Sequence, residues 1–336
     1  MRELALAGRR LGEGQPCLVA AHVGWSHEGS AEAALRLIDA AFQAGADAIV
    51  FSLFRSAELV VHRHPERRAF EQLELKEPSW RRVLEAARAS GLAVIAEALD
   101  LPSRDLALEA SVCALQSHPA DVDHPALLRA LAAGERPLLL AAGAAGEPWL
   151  RTLVGGLGED LLLLLGPAAA PAPVEELRLG ELGLVRERLQ AEVGLLDPTD
   201  GGSAFALLVP ALAAAQGACL VEKRLVLDRT RRVPEGAAAL SPEEFHRMVE
   251  LLRQAERARG EPMASRQAGL ADGRRSVVAA CLIPRGEVLT LDRLSFKRAA
   301  DRGFRGLSPA EVERVIGRRA ARPIQADETI REDMLQ

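Results

Sequence analysis

Eight short apolar runs, separated by stretches with helical periodicity, limit what this chain can fold into more than any other feature. They are CLVAAHV (17–23), AIVFSLF (48–54), AVIAEAL (93–99), VCALQS (112–117), PLLLAAG (137–143), DLLLLLG (160–166), EVGLLD (192–197) and CLVEKRLVLD (219–228). Such near-continuous hydrophobicity marks strands buried on both faces, as in a parallel sheet covered by helices. The segments between supply the helices. SAEAALRLIDAAFQAG (30–45) opens on Ser30 and closes on Gly45, and SPEEFHRMVELLRQAERARG (241–260) opens S-P-E-E. A hydroxyl cap, a first-turn proline and early acids are helix-start chemistry. Eight strand–helix repeats predict a (β/α)8 barrel, whose functional residues belong at the C-terminal ends of the strands.

The periodicity stops at Gly260. Residues 261–273, EPMASRQAGLADG, are small and polar and read as a linker. Beyond it, RRSVVAACLIPRGEVLTLDRLSFKRA (274–299) has short β-like runs broken by P-R-G, which predicts a small, mostly β second domain over 274–336. A domain of that size has a thin core. The barrel domain is placed at 1–260. A hydrophobic fraction of 49% is ample for a large core, and a net charge of −5 is the wrong sign for a nucleic-acid footprint. No apolar run approaches the ~20 residues of a membrane span. The N-terminus lacks a secretory apolar segment, so a cytoplasmic setting is expected. Cys17, Cys113, Cys219 and Cys281 show no C-x-x-C spacing and read as structural thiols.

HVGWSHEGSAEAALRLIDAAFQAGADAIVFSLF (22–54), CLVEKRLVLDRTRRVPEGAAALSPEEFHRMV (219–249) and the 274–299 segment, with GLSPAEVERVIGRRAARPIQADETI (306–330), carry a resemblance. In this order they resemble the sialic acid (nonulosonic acid) synthase family, in which a phosphoenolpyruvate-condensing barrel is joined to an antifreeze-like, or SAF, domain. The resemblance implies a divalent metal held by two histidines, in S-D-H after the seventh strand and in E-K-H on the eighth. Here those triplets read Leu196-Asp197-Pro198 and Glu222-Lys223-Arg224. Proline offers no donor and arginine is a permanent cation, so no metal or other cofactor is expected.

The resemblance also implies two phosphate-binding lysines, which align with Val50 and Leu115, and a hydroxyl pair, which aligns with Ala141-Ala142. Two charge-assisted bonds are worth about 3–6 kcal/mol together, on the order of 10²–10⁴ in affinity. The opening carboxylate of the family motif is His22 and its asparagine is Ser26. The sugar-contacting region of the sixth strand reads GPAAAPAP (166–173), and the acid of the fourth aligns with Ala120 or, one residue on, Asp121.

By the same alignment His22, Glu97, His118, Glu222 and Arg224 should converge at the barrel mouth. A His–Glu pair there could act as general acid and base. The other reading is a neutralised cluster, with Arg224 paired to Glu222 or Glu97, filling a former cavity. It is preferred because neither a nucleophile nor a phosphate cradle accompanies the cluster. His27 and Glu28 read as loop-shaping residues. The expectation is a pseudoenzyme of nonulosonic acid or surface-polysaccharide metabolism, acting as a binding or accessory subunit. The alternative is a divergent synthase condensing phosphoenolpyruvate with an N-acetylated hexose through relocated residues. A third reading is a different lyase or hydrolase chemistry at the His22–Glu97 pocket. Arg298, in FKRA, matches an arginine that the resemblance implies reaches into a partner's barrel. A homodimer with exchanged SAF domains is therefore expected, with a heteromer containing an active synthase as the other possibility.

Overall fold

A computed structural model describes residues 4–12, 14–143, 145–231, 233–234, 236–260, 275–298 and 306–336. The chain divides into two units, 1–260 and 261–336. The linker expected at 261–273 lies outside the described residues.

The first unit opens with a hairpin of β1 (Ala5–Leu6) and β2 (Arg9–Arg10). Its turn residues Ala7 and Gly8 both take positive φ, as a two-residue primed turn requires. Leu4, Leu6 and Leu11 around it join the apolar filling of the barrel, a contribution that the sequence reading did not anticipate.

All eight apolar runs form strands. They are β3 (Leu18–Gly24), β4 (Ala48–Leu53), β5 (Ala93–Ala98), β6 (Ala114–Gln116), β7 (Leu138–Gly143), β8 (Leu161–Leu165), β9 (Glu192–Asp197) and β10 (Leu220–Arg224). Each pairs in parallel with the next, and β10 returns to β3 to close the barrel. The last run, read as 219–228, leaves the sheet at Arg224.

Helices cover the outside. They are α1 (Ala31–Gln43), three pieces α2 (Ser56–Leu59), α3 (Arg67–Leu73) and α4 (Glu77–Ala89), then α5 (Leu101–Glu109), α6 (Pro125–Ala132), α7 (Glu147–Leu157), α8 (Glu181–Leu189), α9 (Val209–Ala215) and α10 (Pro242–Arg259). Ser30 Oγ accepts the Ala33 N–H at 3.2 Å to cap α1. Ser241 and Glu244 form a reciprocal capping box at α10.

Alternation along each strand splits the core into two clusters. Val19, Ile49, Phe51, Val94, Leu115, Leu140 and Leu163 pack outward among helix residues such as Leu37, Leu84 and Phe245. Ala20, Val50, Ile95, Leu139, Ala141, Leu162 and Leu164 fill the inside. This corrects the reading of the fourth run. Leu115 points under the helices, and the period of two makes Gln116 the inward residue.

In the second unit, β11 (Arg275–Ala279) pairs antiparallel with β12 (Leu294–Arg298), joined by isolated bridges such as Ile283–Ile324 and Ala320–Leu335. Val277, Ile283, Leu289, Val315, Ile324 and Ile330 pack together in a small core among its described residues. Arg298 ends β12 and is exposed.

Candidate functional site

The last inward positions of adjoining strands turn polar. β3 presents His22, β4 Ser52, β5 Glu97, β6 Gln116, and β10 Glu222 and then Arg224. In register, His22 stands beside Arg224, and Ser52 beside Glu97. Strands hold such groups more rigidly than loops do. The structure thus brings together His22, Glu97, Glu222 and Arg224, with His118 on the rim of the same pocket. Its free volume is about 30 Å³, roughly that of two waters.

A hydrogen-bonded chain links these groups. His22 Nδ1 meets Glu222 Oε1 in a short contact. His22 Nε2 lies 3.2 Å from Ser52 Oγ, and Ser52 Oγ donates to Glu97 Oε2 at 2.5 Å. Gln116 Nε2 donates to Glu222 Oε1 at 3.3 Å. Burial opposes a charge on the His22 ring and so does Arg224, but the Glu222 carboxylate and then Glu97 outweigh them, leaving its pKa above the ordinary value. Arg224 also approaches the β3 exit. A Cβ at Gly24, where φ is +51°, would lie 3.0 Å from Arg224 Nη1.

Ser52 and Gln116 were not picked out from the sequence. Ser52 stands two residues after Val50 and could have been found by extending the inward alternation to the strand end. Gln116 follows Leu115, the residue that the resemblance aligns with a lysine, and it is Gln116 that reaches Glu222. Ser52 also supplies the hydroxyl that the sequence reading found missing beside the cluster.

The neighbouring Asp197 and Lys223 have a different task. Lys223 is fully buried, its Nζ donating to Thr199 O at 2.8 Å and lying 3.1 Å from Asp197 Oδ2. Asp197 Oδ1 accepts the Thr199 N–H at 2.9 Å. The pair ties the segment after β9 to β10. Burial lowers the Lys223 pKa, with Asp197 pulling the other way.

These residues do not fit a divalent cation. The positions that the resemblance assigns to ligands hold Pro198 and the Arg224 cation, Asp197 is engaged by Lys223, and Glu222 is engaged by His22 and Gln116. Among the described residues no group of three or more His, Cys, Asp or Glu side chains is arranged to hold a metal ion. Val50 and Ala141, which the resemblance aligns with phosphate contacts, are part of the apolar filling. Asp121 lies half-buried in a 3-10 turn at Pro119–Asp121, and burial raises its carboxyl pKa against the pull of His118 and His124.

His27, on the loop after β3, is fully buried. Its Nδ1 accepts the Gly29 N–H at 3.1 Å, and its ring stands edge-on to Trp80 with centroids 5.4 Å apart. Burial lowers its pKa to about 4.

A closed parallel barrel with its polar groups at the strand C-termini defines a (β/α)8-barrel protein of the kind that uses its mouth, here followed by a small β unit. Within that class, the chain belongs to the NeuB family, whose model matches residues 37–264, and a SAF domain matches 274–336. An uncharacterized protein of Methanocaldococcus jannaschii is 29% identical over 98% of each chain. The N,N'-diacetyllegionaminic acid synthase of Campylobacter jejuni is 26% identical over 94% of this chain and 99% of its own. The human N-acetylneuraminate-9-phosphate synthase is 24% identical over 98% of this chain and 95% of its own. Among solved structures, a putative spore coat polysaccharide biosynthesis protein E from Chromobacterium violaceum superposes with a TM-score of 0.76 at 22% identity. That match covers 95% of this chain and 99% of the other.

Proposed function

We propose that this chain is a NeuB-family protein of nonulosonic acid or surface-polysaccharide biosynthesis that has lost the family's metal-dependent condensation of phosphoenolpyruvate and serves as a binding or accessory subunit. The pathway assignment draws on relatives named as legionaminic acid and N-acetylneuraminate-9-phosphate synthases. The loss of condensation draws on one observation above the others. Every position that the resemblance assigns to metal or phosphate is apolar, cationic or already engaged, from Val50 and Ala141 to Pro198 and Arg224.

Calorimetric titration with phosphoenolpyruvate and Mn²⁺, separately and together, tests this, beside an assay with N-acetylmannosamine. Neither saturable heat with the pair nor a 2-keto acid product is expected. Stoichiometric binding of both, or phosphate release with a matching product, would favour the divergent synthase instead. Restoring Val50→Lys alone should not create activity, because several groups act together in such a site.

For assembly, the proposal is a dimer in which residues 274–336 of one chain cover the barrel mouth of the other and bring Arg298 toward it. A heteromer with an active synthase would use the same exchange. Support comes from the family's domain order and from the small core of the SAF unit. Sedimentation giving a monomer at micromolar concentration would count against both versions.

A further inference from the structure

A scaffold kept only for its shape has no need of a hydroxyl, an imidazole and a carboxylate in series, yet His22 and Glu222 line the barrel-mouth pocket with the buried Ser52 hydroxyl beside the His22 ring. We propose that Ser52, His22 and Glu222 form a nucleophile, its base and the carboxylate that orients the base, and that they hydrolyse esters of small acyl groups, of the acetyl class. This goes beyond the function proposed above and does not depend on it, since it involves neither phosphoenolpyruvate nor a metal.

The geometry has the signature of an activated nucleophile: a hydroxyl within reach of a base that a third group holds from behind. Ser52 Oγ is 3.2 Å from His22 Nε2, and Glu222 holds Nδ1 on the opposite side of the ring. The groups come from β4, β3 and β10, which are contiguous in the barrel. Gln116 fixes the Glu222 carboxylate in turn. The Arg224 guanidinium, beside Gly24, lines the same pocket and adds a positive charge to it. His22, Glu97, Glu222 and Arg224 line the pocket, while Ser52 is buried beside His22 and Glu97 rather than on the pocket wall, which is why the acyl group proposed is one of very few atoms.

In the reaction, Ser52 Oγ attacks the ester carbonyl carbon and its proton passes to His22 Nε2. The bond from that carbon to the alcohol oxygen breaks, and His22 returns the proton to the departing alcohol. Water, activated by His22, then attacks the acylated serine. The bond to Oγ breaks, the carboxylic acid leaves and the proton returns to Ser52. Ester and water become acid and alcohol.

Ser52 has two acceptors to choose from. In the observed arrangement its proton points to Glu97 at 2.5 Å. While His22 is an imidazolium, Nε2 is occupied by its own proton. It becomes a base only once that proton is lost, which Glu222 and Glu97 oppose and Arg224 favours. Activity should therefore rise with pH through an ionisation above the ordinary histidine value of about 6.5.

The test is intact-mass and peptide analysis of the full chain treated with methanesulfonyl fluoride at pH 6 to 9, together with p-nitrophenyl acetate hydrolysis. One adduct, on Ser52, is expected, and Ser52→Ala should abolish it and lower kcat/KM by about 10²-fold or more. His22→Gln should slow labelling to a similar extent. Glu222→Gln, a change at a positioning residue, should lower kcat with little effect on KM and move the pH profile downward. No adduct at any pH, an adduct elsewhere, or hydrolysis by Ser52→Ala at the parental rate overturns the proposal. Should Ser52→Ala not fold, the near-isosteric Ser52→Cys is read instead. Its thiol should be alkylated by iodoacetamide well ahead of buried Cys17, and equal reactivity overturns the proposal.

Discussion

Two buried histidines on neighbouring stretches of chain act on stability with opposite signs. His27 has a folded pKa of about 4, against about 6.5 when unfolded. The unfolded chain therefore binds a proton first as pH falls, and stability is lost between about 6.5 and 4. A shift of that size amounts to about 3 kcal/mol over the window. Protonation at Nδ1 would also break the bond from the Gly29 N–H. Denaturant midpoints measured from pH 7 to 4 should fall steeply for the parent and much less for His27→Gln, which keeps an acceptor but cannot titrate. His22 lies on the other side. Its raised folded pKa gives stability that is fully present below about 6.5 and is lost as pH rises through the folded value. Lys223 offers a third residue-scale outcome. Replacing it by Met strands the Asp197 carboxylate in the interior, a change that costs about 3–5 kcal/mol. Adding Asp197→Leu should recover most of the loss, and a double-mutant cycle by chemical denaturation reads the coupling directly.

At the scale of elements, α10 closes the barrel through Phe245, Met248 and Leu252. Its reciprocal Ser241–Glu244 cap predicts that Ser241→Ala costs about 1 kcal/mol, readable as a shift in midpoint at constant slope. The strands were legible because both of their faces are buried. An uninterrupted run such as Leu161–Leu165 needs no finer pattern to be recognised as a barrel strand. That same uniformity explains what was missed. Where a run is nearly all apolar the sequence does not say which residues face inward, so the alignment of the family lysine with Leu115 falls on a residue that packs under the helices. The β1–β2 hairpin is too short to announce itself, and its leucines acquire a role only against the barrel interior. The charged members of the site, His22, Glu97, Glu222 and Arg224, were reached through the family resemblance, which places them at the barrel mouth. Ser52 was not, because a serine near a strand end is ordinary until its distances to His22 and Glu97 are known.

For the whole molecule, the sharpest question is whether the barrel mouth still answers to a metal. A ligand that binds only the folded state adds RT ln(1 + [L]/Kd) to stability, about 2.7 kcal/mol at one hundred times its Kd. For a domain of this size each kcal/mol moves Tm by about 2–4 °C, so a retained Mn²⁺ site would show as a shift of roughly 5–11 °C. The residues at the mouth argue against any such shift. A cation entering there would meet the Arg224 guanidinium and would have to draw Glu222 away from His22 and Gln116. Repulsion at such distances is substantial where water is scarce. Thermal unfolding of the full chain at millimolar Mn²⁺ should therefore match the metal-free curve, and elemental analysis after dialysis should find far less than one metal per chain. Arg224→His alone should leave both results unchanged, because Pro198 still occupies the position of the second ligand. Arg224→His combined with Pro198→His restores both imidazoles, and a rise in Tm with Mn²⁺ only in that double variant would show that these two substitutions closed the site.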